Sequence, residues 1–73
     1  MSLPATISVR VNDEAHTFDR DASVLTALQK LGLAERRGIA VAIDDTVVTR
    51  SQWEKRTLAE GQRLLIIQAT QGG

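Results

Sequence analysis

The chain has 73 residues, enough for one small domain and too few for separate cofactor and substrate domains. It is 42% apolar and 25% charged, near a globular average; with no cysteine and one histidine it excludes a disulfide framework, a thiolate cluster, a thiol nucleophile and an imidazole metal set. Nine basic residues balance nine acidic ones, so the electrostatic footprint of a nucleic-acid binder is missing.

Met1-Ser2-Leu3-Pro4 has neither the basic nor the apolar stretch of a secretory leader, and no later run approaches the roughly 18 apolar residues of a membrane span. A soluble cytosolic protein is expected, without membrane or nucleic-acid partners. From Thr6 to Val11 the chain alternates, with Ile7, Val9 and Val11 on one face and Ser8 and Arg10 on the other, which predicts a half-buried strand. Asn12-Asp13-Glu14 has turn chemistry, and Ala15 to Asp19, anchored by Phe18, completes a β-hairpin. Ser23 is a sound helix N-cap ahead of the apolar stripe Val24, Leu25, Ala27, Leu28 and Leu31, and Gly32 suits the left-handed residue that stops the helix.

A loop from Leu33 to Gly38 carries Glu35-Arg36-Arg37, a solvated charge group. Ile39 to Ile43 is apolar on both faces, as a covered strand would be. After the Asp44-Asp45 turn, Thr46 to Val48 fits a brief strand, and Ser51-Gln52-Trp53-Glu54 has capping-box spacing for a short helical turn. Glu60-Gly61-Gln62 breaks the chain again before Arg63 to Ala69, whose Leu64-Leu65-Ile66-Ile67 centre predicts an interior strand. The order is that of an α+β fold with one helix covering one sheet face. Its expected core is Ile7, Val9, Phe18, Val24, Leu28, Leu31, Val41, Ile43, Leu64 and Ile66, with Trp53 closing one edge.

Chemistry-bearing clusters are sparse. Ser8, Ser23 and Ser51 lie in different elements with no base to activate them, and His16, two residues before Phe18 on one strand face, reads as structural. Asp13-Glu14 and Asp44-Asp45 are explained by turns. No metal or cofactor is expected. The sequence ends on Gly72-Gly73 directly after an apolar strand and a short polar spacer. Glycine lacks a Cβ and enters conformations and channels closed to other residues, and Thr70 to Gly73 reaches about 13 Å when extended. Such a tail can carry its α-carboxylate into another protein's active site, where adenylation by ATP would supply the leaving group.

These features together resemble the ubiquitin-like β-grasp proteins, and within them the ThiS family of sulfur carriers in thiamine biosynthesis. The resemblance runs from Ile7 to Gly73 and rests on the Asn12 turn, Val41-Ala42-Ile43, Val48-Thr49-Arg50 with Trp53, the Gly61 turn before Leu64 to Ala69, and Gly72-Gly73. The chain departs from the family pattern at three turn positions: Asp44 in place of asparagine, Thr49 in place of proline and Gln62 in place of aspartate.

The resemblance implies a mixed β-grasp sheet with one main helix over residues 1–69 and a flexible diglycine tail over 70–73. It implies a protein cosubstrate rather than an enzyme. A ThiF-like adenylyltransferase would adenylate the Gly73 carboxylate, a cysteine-derived sulfur donor would convert it to a thiocarboxylate, and a ThiG-like thiazole synthase would take the sulfur. Gly72 would be the steric enabler and Ala69 to Gln71 the spacer. The small subunit of molybdopterin synthase shares the implied fold and tail but usually has prolines just before the glycines, where Ala69-Thr70-Gln71 has none. A ubiquitin-like protein modifier and a plain interaction domain are the other readings.

Overall fold

The computed structural model describes residues 3–69. Its first unit is the expected hairpin, β1 (Thr6–Val11) and β2 (Glu14–Asp19), antiparallel in the register Ile7 to Phe18 and Val9 to His16. The turn is tighter than the sequence suggests. Asn12 and Asp13 take φ of 51° and 68°, so two left-handed residues close it and Glu14 joins the strand. The second hairpin repeats this device: β3 (Ile39–Ile43) and β4 (Thr46–Val48) are joined by Asp44 and Asp45 at 47° and 72°.

The helix α1 (Val24–Lys30) has the predicted ends. Ser23 Oγ accepts the Thr26 N–H at 3.1 Å. Gly32, with φ 75°, donates to the Gln29 carbonyl and Leu33 donates to that of Leu28, a Schellman closure. Two further first-turn donors, the N–H groups of Val24 and Leu25, meet the carbonyls of Arg56 and Trp53 at 2.9 and 3.0 Å. The irregular segment after β4 thus caps the helix.

The last strand, β5 (Arg63–Gln68), lies in the middle of the sheet order β2-β1-β5-β3-β4, parallel to β1 and antiparallel to β3. Among the described residues five strands and one α-helix make the α+β fold. The core unites Ile7, Val9, Phe18, Val24, Leu28, Val41, Ile43, Leu64 and Ile66 as expected, and adds Val11, Ala22, Ala27, Val48, Trp53 and Leu58. Trp53 is 2% exposed and its indole N–H donates to the Val48 carbonyl of the edge strand at 3.1 Å, which is the edge-closing role expected of it.

Four expectations need correction. Leu31, placed in the core, is only half-buried, because as C-cap it sits where the helix turns away from the sheet. The strand Ile39–Ile43 is covered on one face only: Val41 and Ile43 are buried, Ala42 is half-buried and Ala40 exposed, since α1 packs on one side and none of the described residues packs on the other. The turn after β4 is a 3-10 turn over Arg50–Gln52 whose N-cap is Thr49, with the Gln52 Oε1 accepting the Thr49 N–H at 3.3 Å; Ser51 and Glu54 do not cap it. The last strand ends at Gln68 rather than Ala69, whose N–H bonds outside the ladder.

Candidate functional site

Gly73, expected to react, and Gly72, expected as its steric enabler, lie outside the described residues, as do Thr70 and Gln71 of the spacer. Ala69 does not, and it marks the root of the tail. Its N–H donates to the Gly38 carbonyl at 2.8 Å, one residue before β3 begins. Gly38 has φ +72°, and a Cβ there would stand 3.3 Å from the Ala69 carbonyl oxygen. Both its conformation and its neighbour therefore call for glycine.

Behind Ala69, β5 is fixed by side chains as well as by neighbours. The parallel ladder with β1 pairs only Arg10 with Arg63 and Val11 with Leu64. Where β1 turns off, Asn12 stands in for a strand: its Oδ1 accepts the Ile66 N–H at 2.8 Å and its Nδ2 donates to the Ile66 carbonyl at 3.2 Å. A carboxamide carries one acceptor and one donor in the geometry of a peptide unit, so it can satisfy both. On the other side Asp44 Oδ1 accepts the Arg63 N–H at 3.0 Å, so this departure from the family pattern keeps an acceptor for β5. Gln62, at another departure, accepts the Ala59 N–H through its side chain at 2.8 Å.

The uncovered sheet face leads to the same root. Leu65 and Ile67 are 49% and 55% exposed; beside them in register stand Ala42 and Ala40, and next to Ala42 is Val47 at 70%. Arg10 and Arg63, paired in register, flank this strip at the start of β5. A single-layer sheet with one apolar strip left bare ends at the residue from which the tail departs.

The body itself offers little chemistry. Among the described residues no group of three His, Cys, Asp or Glu side chains is placed to hold a metal ion. His16 lies against Phe18, ring centroids 6.2 Å apart, and its Nε2 is 3.3 Å from Glu14. Asp13, Asp44 and Asp45 are consumed by their turns, and Arg36 and Arg37 are exposed on the loop before Gly38. No helix among the described residues is long and apolar enough to cross a membrane. Sequence reasoning finds the tail and the Asn12 turn, but it misses Gly38 as the clasp on Ala69. The available signal was a lone glycine at the start of an apolar strand.

The family model described as "ThiS family" matches residues 3–73, a span that includes Gly72-Gly73. Among solved structures the chain is similar to a thiamine biosynthesis protein (ThiS) from Geobacter metallireducens. The two share 22% identity with a TM-score of 0.77, over 92% of this chain and all of the other. No curated protein matches the chain.

Proposed function

The chain belongs to the ThiS family of small sulfur-carrier proteins, which are not catalysts, and we propose on that premise that its reacting group is the α-carboxylate of Gly73. A carboxylate oxygen attacks the α-phosphorus of ATP on a ThiF-like adenylyltransferase and pyrophosphate leaves. Sulfide released from a cysteine-derived donor then attacks the acyl carbon and AMP leaves, which gives the Gly73 thiocarboxylate; where the nucleophile is a persulfide, an acyl disulfide forms and a thiol reductant cleaves its S–S bond to free the thiocarboxylate. On a ThiG-like thiazole synthase that sulfur bonds to a carbon of the thiazole precursor, and as the acyl–sulfur bond breaks an oxygen returns to the acyl carbon and restores the Gly73 carboxylate. The chain has no cysteine, so the sulfur must come from a donor and be held on the terminus.

Domain and tail divide the labour in this reading. Residues 1–69 are the docking body, 70–73 the probe, and Gly72 keeps the last peptide thin enough for a narrow channel. The observation that carries the reading is the family match running through Gly73. The bare strip of Leu65 and Ile67 supports it, because a partner that takes the tail into its active site meets this strip at the tail's root. Adenylation needs ATP, which suits the cytoplasm.

Intact mass after incubation with ATP, a ThiF-like enzyme and a cysteine-derived sulfur source tests the proposal. A sulfur-for-oxygen increase located to Gly73 by fragmentation is expected. No change beside an active control carrier would refute it.

A further inference from the structure

Arg50 has no part in the chemistry above, yet its surroundings are those of a built contact. Its guanidinium lies over the Trp53 ring, Cζ 4.5 Å from the centroid. From there Nη2 donates to the Arg36 carbonyl at 3.0 Å and Nη1 to the Ala34 carbonyl at 3.3 Å. Among the described residues no carboxylate pairs with it. One planar fork therefore ties two carbonyls of an irregular loop to the most deeply packed aromatic of the core. Only two residues separate the Arg36 carbonyl from that of Gly38, at most about 7 Å of chain. The Gly38 carbonyl is the one that accepts the Ala69 N–H.

We propose that Arg50 is a positioning residue: by bracing the Ala34–Arg36 backbone against Trp53 it fixes the Gly38 carbonyl that clasps Ala69, and so sets the direction in which the tail leaves the sheet. The functional half of this inference rests on reading Gly73 as the adenylated terminus. Trp53, on which the brace rests, packs in the core on the helix side of the sheet, and Leu65 and Ile67 lie on the opposite, bare face, so loss of the brace leaves docking of the body intact and lowers the fraction of docked carriers whose tail is correctly inserted. Binding energy spent on placing a reacting group appears in turnover rather than in affinity.

The test uses the full chain with Arg50→Ala and Arg50→Lys; Arg50→Gln replaces the alanine variant if that one does not fold. Hydrogen exchange in the isolated protein reads the brace. The Ala69 amide is expected to exchange about tenfold faster in each variant while those of Val9 and Val41 stay unchanged. Lysine is expected to behave as alanine does, because it keeps the charge over Trp53 but lacks the fork. ATP–pyrophosphate exchange on a ThiF-like enzyme, with the carrier varied, reads the consequence: kcat about 10- to 100-fold lower with KM within about twofold.

Unchanged exchange at Ala69 in a folded variant would overturn the brace, and a brace lost with kcat unaltered would overturn the positioning role. A Phe18→Leu variant destabilised to the same extent controls for general loosening; if it lowers kcat equally, Arg50 is structural only. If even the unaltered chain is not adenylated, the Gly73 reading fails, and the brace is still decided by exchange at Ala69.

Discussion

Asn12 is where fold and tail placement meet, and replacing it separates its two jobs. Asn12→Gly keeps the positive φ that the turn requires and removes both bonds to Ile66. Each hydrogen bond is worth about 0.5–1.5 kcal/mol net, and the half-buried Ile66 N–H and carbonyl lose partners that β1 cannot replace after it has turned away, so about 2–3 kcal/mol of stability should go. For a domain of this size that is a fall of about 10–20 °C in Tm. Asn12→Ala removes the same bonds and adds a left-handed residue with a Cβ, a further ~1 kcal/mol. Asn12→Asp keeps the acceptor for Ile66 N–H but sets a carboxylate oxygen against the Ile66 carbonyl, and is expected between the native chain and the glycine variant. Urea unfolding of the three variants, with m unchanged, measures these differences. A loss below about 0.5 kcal/mol for Asn12→Gly would refute the view that this carboxamide serves as a missing piece of strand.

Both hairpin turns place aspartate second in a two-residue left-handed turn, a position glycine fills without strain, so Asp13→Gly and Asp45→Gly should each raise stability by about 0.5–1 kcal/mol in thermal unfolding. Gly38→Ala meets both a positive φ and the Ala69 carbonyl, and should cost about 1–2 kcal/mol while slowing adenylation more than Asn12→Gly does, although Asn12→Gly loses more stability, as read by ATP–pyrophosphate exchange. Leu65→Lys and Ile67→Asp change exposed side chains and should change stability by no more than about ±0.5 kcal/mol, yet raise KM for the adenylating enzyme; unchanged KM would remove the bare strip from the interface. Gly73→Ala should fold normally and be adenylated poorly, since its Cβ would crowd a channel shaped for glycine, and normal adenylation of that variant would refute the channel.

Much of the fold is legible because local signals agree. The alternation of Thr6–Val11, the Ser23 cap and the Gly32 stop each specify one conformation, and the structure has all three; the Asn12-Asp13-Glu14 turn is also there, one residue shorter because Glu14 joins β2. Periodicity is silent about strand order, which the β-grasp resemblance supplied and which the mixed sheet matches. The error at β3 has a plain cause. Ile39–Ile43 is apolar on both faces, and apolarity alone does not distinguish a face covered by the protein's own chain from one left bare. The misplaced cap has a different origin: Ser51 with Glu54 and Thr49 with Gln52 have the same spacing, and the choice between them is made by Trp53, whose insertion into the core requires the chain to turn before it.

The site was half legible for a related reason. Gly72-Gly73 stand out because glycine pairs have a plain physical meaning, whereas Gly38 and Asn12 act on residues 31 and 54 positions away, contacts that exist only once β5 has entered the middle of the sheet, and Arg50 acts on a loop carbonyl 16 positions away. On the proposed reading, that placement lets a small body aim the residues that follow β5. A central strand is held from both sides, here by β1 with Asn12 on one flank and by β3 with Asp44 on the other. An edge strand would leave one flank free to fray, and the direction of whatever followed it would vary with the fraying. Putting β5 in the middle makes Gln68 the end of a strand supported on both flanks, and among the described residues Ala69, which follows it, is held by its N–H bond to the Gly38 carbonyl.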